Sequence, residues 1–197
     1  MTDDNKVKLN SSIVLDYCNY AFNEMRLLKV IEFGGGKNRL KLPFKVDQLD
    51  RVKLESDDIV SDLENKLPLG NDSYDVIFSC SVFEHVFNIR QLFEECHRVL
   101  RPGGKLIIIV PHFAGLNSIY LTHKGFFSAD YFNIFTAEDS DFNFETTARF
   151  KILKRKIRTV IRFLDFIANA NQKIYEGTIL KNILPPSSLV VVLEAVK

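Results

Sequence analysis

The segment V-I-E-F-G-G-G-K-N at positions 30–38 constrains the fold more than any other part of the sequence. It begins as an apolar run interrupted only by Glu32, and the three glycines Gly34, Gly35 and Gly36 follow. An apolar run stopped by glycine is typical of a buried parallel strand that ends in a tight turn. Glycine also tolerates positive φ and lets the backbone approach a ligand closely. The segment therefore predicts a ligand-binding turn in an α/β protein.

Two kinds of cofactor site use such a turn. A dinucleotide site requires the spacing G-x-G-x-x-G, in which the third glycine lets a helix pack closely on the strand. Gly34 and Gly36 match its first two glycines, but Arg39 stands at the third position. A nicotinamide-dependent oxidoreductase is therefore the less favoured alternative. The spacing E-x-G-x-G instead resembles the first motif of the class I S-adenosylmethionine-dependent methyltransferases.

Length and composition predict an ordinary globular protein, with residues 1–197 forming a single domain. Hydrophobic residues make up 46% and the net charge is +1, so bulk charge predicts no nucleic-acid partner. Cys18, Cys80 and Cys96 lack disulfide or metal-ligand spacing, which favours a reducing compartment. With no signal-peptide pattern at the start and no apolar run of membrane-spanning length, we expect a cytoplasmic protein.

Acidic residues follow two short predicted strands beyond the glycine turn. Val46-Asp47 is expected to end the second strand, where Asp47 would accept hydrogen bonds from ribose hydroxyls. The alternative is that Asp47 and Asp50 only form a solvated turn. About ten residues separate Gly36 from Val46, too few for a full crossover helix, so we expect an irregular loop there. Ile59-Val60 is predicted as the third strand, with Asp62-Leu63 at its end.

The middle of the chain alternates strands and a helix. Tyr74–Cys80 is predicted as a buried strand, and Asn88 with Gln91 as the cap of an amphipathic helix. Arg101-Pro102-Gly103-Gly104 is expected to stop that helix before Leu106–Val110, an apolar run typical of a fully buried strand. Further elements are predicted as a helix after Ser11 or Ser12, strands at Phe150–Ile157 and Leu189–Val196, and helices at Val160–Asn169 and Tyr175–Leu184.

These motifs, in this order, resemble the class I methyltransferase family over roughly residues 28–135. The quoted segments are L-P-L…N-D-S-Y-D-V-I, S-C-S-V-F-E-H-V, V-L-R-P-G-G-K-L-I-I-I-V-P and T-H-K-G-F-F-S. The resemblance implies a three-layer α/β/α sandwich around a mostly parallel, Rossmann-like seven-stranded sheet with an antiparallel last strand. It also implies S-adenosyl-L-methionine as the cofactor, with Asp62 on the adenine amine and the Leu63 N–H at the ring. The implied cofactor-binding residues are Glu32, Phe33, Gly34, Gly35, Gly36, Asp47, Asp62, Leu63 and Ser79.

Three histidines fall at the predicted cleft edge and are candidates for a general base: His112, His123 and His85. We expect His112 to be the strongest candidate because it directly follows a central strand, although each of the three has a structural interpretation as well. His97 is predicted to lie on the surface of its helix. Glu84-His85 could also bind a divalent metal, but two adjacent side chains rarely make a site by themselves, so no metal ion is predicted.

The acceptor class follows partly from motifs that the sequence lacks. It contains no N-P-P-Y-like tetrapeptide after the fourth strand and no Pro-Cys nucleophile. These absences favour a small molecule or a glycan precursor over nucleic-acid bases, and O-methylation is the expected reaction. A non-catalytic cofactor-binding module that regulates a partner remains the alternative from another class.

Seven basic residues without an intervening acid mark the segment Arg149–Arg162. Such a run usually forms a solvated face. The apolar residues among them also fit an amphipathic helix on an anionic membrane, and a phosphate-bearing substrate is a third alternative. We expect peripheral membrane contact through Lys151–Arg162 as a second kind of partner, beside the acceptor.

Overall fold

The computed structural model describes residues 12–14, 28–136 and 146–197, and seven strands form its central sheet. The strands are β1 Val30–Phe33, β2 Val46–Asp50, β3 Ile59–Val60, β4 Tyr74–Cys80, β5 Leu100–Pro111, β6 Phe150–Thr159 and β7 Pro186–Ala195. Their order is β3-β2-β1-β4-β5-β7-β6. β7 pairs antiparallel with both β5 and β6, whereas all other pairs are parallel. This topology confirms the predicted Rossmann-like sheet.

Apart from the helical residues 12–14, the α-helices of the described chain lie in the connections after β4 and β6. They are α1 Ile89–Val99, α2 Asp165–Ala170, α3 Gln172–Gly177 and α4 Leu180–Ile183, with 3-10 turns at Phe83–His85, Leu116–Ser118, Asp130–Phe135 and Arg162–Leu164. Asn88 caps α1 as predicted, since its side chain accepts a hydrogen bond from the Gln91 N–H at 3.3 Å. Two longer helices were predicted over Val160–Asn169 and Tyr175–Leu184. The structure instead contains the shorter α2, α3 and α4.

Both faces of the sheet are covered, which explains why its central strands are apolar at nearly every position. In β4, Ile77 packs into one hydrophobic cluster, whereas Val76 and Phe78 pack into the cluster on the other face. In β5, Ile108 and Ile107 divide between the clusters in the same way. Because successive strand residues point to opposite faces, a strand buried on both sides loses the alternation of polar and apolar residues.

The chain between β1 and β2 is irregular, as its length predicted. Arg39 holds this crossover loop in place. Its Nη1 and Nη2 donate to the two carboxylate oxygens of Asp58 at 2.9 and 2.7 Å, and its Nε donates to the Gly36 carbonyl at 3.2 Å. The residue that stands in place of a third motif glycine therefore joins the glycine turn to the segment before β3.

Several predicted boundaries were wrong. β2 continues to Asp50 rather than ending at Asp47, and β5 begins at Leu100, before the Pro102-Gly103-Gly104 segment that was expected to precede it. β6 begins at Phe150 as predicted but continues to Thr159, two residues beyond the expected end at Ile157. At such positions, pairing with neighbouring strands extends a strand beyond the residues whose own sequence favours it.

Part of the N-terminal prediction lies outside the described residues. Residues 12–14 are helical, and Ile13 and Val14 pack in the core. The continuation of that helix through Tyr17 and Met25, together with Cys18, cannot be compared with the described chain. Within the described ranges, every helix falls short of the length and apolar character that crossing a membrane requires.

The ion pair between Arg39 and Asp58 predicts a pH dependence. Hydrogen bonding from Arg39 holds the pKa of Asp58 at about 2, below its ordinary value of 3.8. Because the folded-state pKa is depressed, the stabilisation is complete above the ordinary value and is lost as the pH falls through the folded value. We expect urea unfolding of the wild-type protein between about pH 4 and pH 2 to show a steeper loss of stability than unfolding of Arg39→Gln.

The matched control is Arg51→Gln, which removes an arginine from the more exposed contact with Asp62, 3.4 Å between Nη2 and Oδ2. This variant should follow the wild-type profile, because exposed ion pairs contribute little. Identical pH profiles for wild type and Arg39→Gln would contradict the role given to the pair.

Candidate functional site

The glycine turn after β1 has the backbone that its sequence predicted. Gly34 and Gly36 adopt positive φ angles of 67° and 54°. A Cβ on Gly35 would lie 2.6 Å from the Gln48 Oε1 and 2.9 Å from the carboxylate of Glu32. A Cβ on Gly36 would meet nothing within 4 Å. Packing therefore requires the middle glycine, whereas the third one faces open space where a ligand can approach the backbone.

Glu32 is buried beneath this turn. Its Oε2 accepts hydrogen bonds from the Leu40 N–H at 2.8 Å and from the Gln48 amide at 3.1 Å. Burial raises the pKa of the Glu32 carboxyl, and the hydrogen bonds from Leu40 and Gln48 oppose that shift. This carboxylate joins β1 to the crossover loop and to β2, so it shapes the turn from behind.

Two acidic residues of β2 lie at opposite ends of that strand. Asp50 is its last residue, and its Oδ2 accepts the Gly36 N–H at 3.2 Å. Asp47 pairs in register with Ile31 near the start of β1, and its Oδ2 accepts the Tyr74 hydroxyl at 2.8 Å. The side chain beside the glycine turn is thus Asp50, and the structure places Asp47 away from the carboxyl ends of the strands.

The remaining cofactor candidates fall along the same edge of the sheet. Asp62 follows β3, where its Oδ1 accepts the Glu64 N–H at 3.1 Å, and Leu63 beside it is buried. Phe33 is fully buried in the core, so only its backbone can reach a ligand. Ser79 lies in register with Phe33 near the end of β4, and its buried Oγ makes no hydrogen bond with any part of the chain that the structure describes.

A cavity of about 450 Å³ adjoins Gly36, and its lining residues are Gly36, Lys37, Asn38, Arg39, Lys41, Leu54 and Glu55. Both of its walls are loops that follow β1 and β2, at the carboxyl ends of parallel strands, where ligands bind in open α/β sheets. The open side of Gly36, the Asp50 carboxylate and the unsatisfied Ser79 Oγ fit a nucleoside cofactor with an amino acid tail.

A second cavity of about 380 Å³ lies beside the ends of β4 and β5, and its lining residues are Ser81, Glu84, His85, Ile109, Val110, Pro111, Asn117, Tyr120, Thr122, His123, Ser187 and Ser188. Hydroxyl, amide and imidazole groups supply most of its polar lining. Such groups orient a small polar ligand and can exchange protons with it.

Two of the predicted histidines meet in this second cavity. The ring centroids of His85 and His123 are 4.8 Å apart, in an edge-to-face arrangement. The Nδ1 of His85 lies 3.2 Å from the Thr122 carbonyl oxygen, and the Nδ1 of His123 lies 3.1 Å from the Ser118 carbonyl oxygen. Because a carbonyl only accepts, each Nδ1 carries a proton, and the Nε2 of each neutral ring has an available lone pair.

The loop that carries His123 is fixed at both ends. The Phe113 N–H donates to the Phe127 carbonyl at 2.9 Å and closes the loop at its base. Nearer the cavity, the carbonyl of Glu84 accepts the Lys124 N–H at 2.6 Å and the Gly125 N–H at 3.2 Å. Backbone hydrogen bonds therefore position His123 beside the segment that carries Glu84 and His85.

His112 is not the cleft-facing base that we expected. It is fully buried, its Nε2 lies 2.7 Å from the Oε1 of Glu176, and its Nδ1 accepts the Ala114 N–H at 3.2 Å. Both nitrogens are therefore engaged, and the second cavity is lined without this residue. His97 lies on α1, but it is half-buried rather than a surface residue, and its Nε2 contacts the Val196 carbonyl oxygen at 2.8 Å.

Sequence reasoning missed two contributions to the site. Asp50 was considered only as part of a turn, although an acid at the last position of V-D-Q-L-D was a signal for a strand-end carboxylate. Ser187 and Ser188 enter the second cavity from β7. No local pattern connects them with residues far earlier in the chain.

Parts of the chain are similar in sequence to known methyltransferases. Residues 38–108 match the family model described as a methyltransferase domain. A probable S-adenosylmethionine-dependent methyltransferase of Mycolicibacterium smegmatis is 43% identical over 47 residues, which is 24% of this chain and 18% of that protein. The malonyl-[acyl-carrier protein] O-methyltransferase 1 of Coxiella burnetii is 46% identical over 41 residues, 21% of this chain and 14% of that protein. The matches thus span less than a fifth of each relative's length.

The fold has relatives among solved structures. A SAM-dependent methyltransferase from Archaeoglobus fulgidus superposes with a TM-score of 0.60, covering 95% of this chain and 94% of that chain at 15% sequence identity. At such low identity the likeness concerns the fold, and it confirms the predicted architecture.

Proposed function

We propose that this chain, which belongs to the class I S-adenosylmethionine-dependent methyltransferase family, transfers a methyl group from S-adenosyl-L-methionine to a hydroxyl oxygen of a small molecule or glycan precursor. The observation that carries the proposal is the cavity lined by His85 and His123, which lies at the same sheet edge as the glycine turn. Cofactor and acceptor would meet across the ends of β1, β4 and β5.

The cofactor would lie along the glycine turn and the ends of β2 and β3. Asp50 would accept the ribose hydroxyls in the role first assigned to Asp47, because Asp50 is the carboxylate beside Gly36. Asp62 and Leu63 would contact the adenine, as the resemblance implies, and the Ser79 Oγ would gain a hydrogen-bond partner. When bound, the cofactor supplies a methyl group already activated on a sulfonium, so the protein mainly aligns the acceptor and excludes water.

The lining of the second cavity favours a neutral acceptor. Among the described residues that line it, none is a lysine or arginine, and the buried carboxyl group of Glu84 belongs to it. A carboxylate acceptor, such as a malonyl group, would lie near this like charge, which is unfavourable in a site of low dielectric. A hydroxyl acceptor has no such cost, and its proton can pass to the Nε2 of His85 or His123.

The compartment is part of the same proposal. Cys96 is a buried free thiol. Unpaired thiols persist in a reducing environment. We therefore assign the protein to the cytoplasm, which fractionation of cells can test.

The cofactor assignment predicts selective stabilisation. S-adenosylhomocysteine at a hundred times its dissociation constant should stabilise the protein by about 2.7 kcal/mol, whereas NAD should not. Asp50→Asn should weaken binding by ~1–3 kcal/mol through the loss of charged hydrogen bonds. Asp47→Asn is the matched control, because Asp47 lies at the other end of β2. Calorimetry measures the affinity for S-adenosylhomocysteine in the wild type and in the two variants.

Stabilisation by NAD alone would contradict the cofactor assignment. If Asp47→Asn weakened binding and Asp50→Asn did not, the orientation of the cofactor along the sheet edge would be wrong.

The acceptor chemistry predicts a division among the histidines. With radiolabelled cofactor and a library of sugar nucleotides and phenolic small molecules, His123→Ala should lower the transfer rate by ~100-fold. Cofactor affinity should remain, because this side chain lies in the acceptor cavity. His112→Asn should lower thermal stability, since it disturbs the contact with Glu176, but leave the rate per folded molecule within about threefold.

If His112→Asn were the one folded variant to lose activity, His112 and not His123 would be the general base. Tight cofactor binding without turnover on any acceptor would favour the regulatory alternative.

We also propose peripheral contact with an anionic membrane near Lys151–Arg162. Part of this basic run is engaged within the fold, since Arg155 donates to Gln172 at 2.9 Å and to the Ala129 carbonyl at 2.7 Å. The surface that follows it is apolar and cationic. Phe163 and Phe166 are 78% and 67% exposed, and Arg162 beside them is exposed. Exposed aromatic residues next to arginine suit the interface of an anionic bilayer.

Flotation with vesicles tests this surface. The protein should float with phosphatidylserine-containing vesicles at low salt, less at high salt, and not with phosphatidylcholine alone. Phe163→Ser with Phe166→Ser should reduce the bound fraction severalfold, because each aromatic ring buries apolar area in the interface. Val52→Ser, at an exposed apolar position beyond β2 and towards the other edge of the sheet, is the control. Absence from the lipid fraction at both salt concentrations would remove the membrane proposal.

A further inference from the structure

We infer that Glu84, His85 and His123 form a binding site for a divalent transition-metal ion of the zinc class. One ligand atom from each of the three lies within 4.8 Å of the other two. Two imidazoles and a carboxylate are a donor set that suits zinc and its first-row neighbours. The sequence alone did not predict a metal site at the adjacent pair Glu84-His85, but the folded loop adds His123 as another ligand.

The orientation of the two rings supports the assignment. Metal-binding histidines usually donate their second ring N–H to a carbonyl or carboxylate, which fixes the tautomer and directs the other nitrogen at the ion. Both histidines show this arrangement, with Nδ1 at 3.2 Å from the Thr122 carbonyl oxygen for His85 and at 3.1 Å from the Ser118 carbonyl oxygen for His123. The nitrogen that remains on each ring is Nε2, the atom that a cation would take.

The carboxylate ligand comes from a buried position in a short helical turn. Glu84 is 1% exposed and lies in the 3-10 turn Phe83–His85, while its own carbonyl holds the loop of His123 through the Lys124 and Gly125 N–H groups. One residue therefore supplies a carboxylate and also anchors the segment that carries another ligand. Ligand bonds of about 2.0–2.2 Å require the three groups to close slightly on the ion. The exposed side chain of His85 can make most of that adjustment.

Three protein ligands leave an open coordination position, as in catalytic zinc sites. All three residues line the second cavity, so the open position lies within it. What the ion would do there rests on the proposed function. An acceptor hydroxyl bound to the ion would lose its proton to solvent more readily, because a cation lowers the pKa of a bound oxygen. The oxygen–methyl bond would form as the methyl–sulfur bond breaks. The ion would stabilise the deprotonated acceptor oxygen, so the imidazoles would act as ligands and not as proton acceptors.

Metal binding can be measured without cofactor or acceptor. The purified protein is stripped with a chelator, desalted and titrated with Co²⁺, whose visible absorption reports its coordination, and with Zn²⁺ by calorimetry. We expect one ion per chain in the wild-type protein. His85→Ala and His123→Ala should each weaken binding by at least ~10-fold, because each removes one of three ligands.

The matched control is His97→Ala, which removes a half-buried histidine of α1 whose Nε2 contacts the Val196 carbonyl oxygen. It should bind the ion like the wild-type protein. Glu84→Gln is a further variant. Because this side chain is buried, circular dichroism must first show that the variant is folded like the wild type. Absence of a stoichiometric Co²⁺ or Zn²⁺ signal in the wild type, or equal affinity in all variants, would overturn the site. Either result would leave the methyl-transfer proposal standing, since its assays use other readouts.

Discussion

The buried carboxylate of Glu32 is the interaction on which the cofactor edge of this molecule depends. It accepts from Leu40 and Gln48, so one side chain joins the first strand, the crossover loop and the second strand. An unpaired carboxylate in that position would be costly. The two donors satisfy it, and the Gln48 side chain together with the Glu32 carboxylate leaves no room for a Cβ at Gly35. The shape of the turn is therefore a consequence of how one charge is accommodated.

Much of this fold could be predicted from sequence because its central strands are buried on both sides. Tyr74–Cys80 was predicted with its observed boundaries, since a mostly apolar run that follows turn residues is typical of a buried strand. The second strand was harder. Its five residues contain two acids, and either Asp47 or Asp50 was able to mark its end. The pairing of Leu49 with Phe33 and of Asp50 with Val60 decides that end, and such contacts have no signature in the local pattern.

The histidines show the same limit at the second cavity. His112 lies near the carboxyl edge of the sheet, as its position directly after a strand predicted. However, its Nε2 contacts Glu176, which comes from a helix much later in the chain. His85 and His123 were each identified as candidates, yet their proximity depends on a loop that backbone hydrogen bonds between distant residues hold in place. The sequence identifies candidate residues, whereas tertiary contacts determine which of them come together.

The two edges of the sheet have a consequence for association between copies of the chain. At one edge, β3 has only two residues, and at the other, β6 carries exposed Lys151 and Lys154. An antiparallel β6 from a second copy would bring ammonium groups close to one another across the new pair, which is unfavourable. A short edge and a cationic edge are both poor templates for a further strand. The sheet thereby resists growth into fibrils, although its interior is rich in valine and isoleucine.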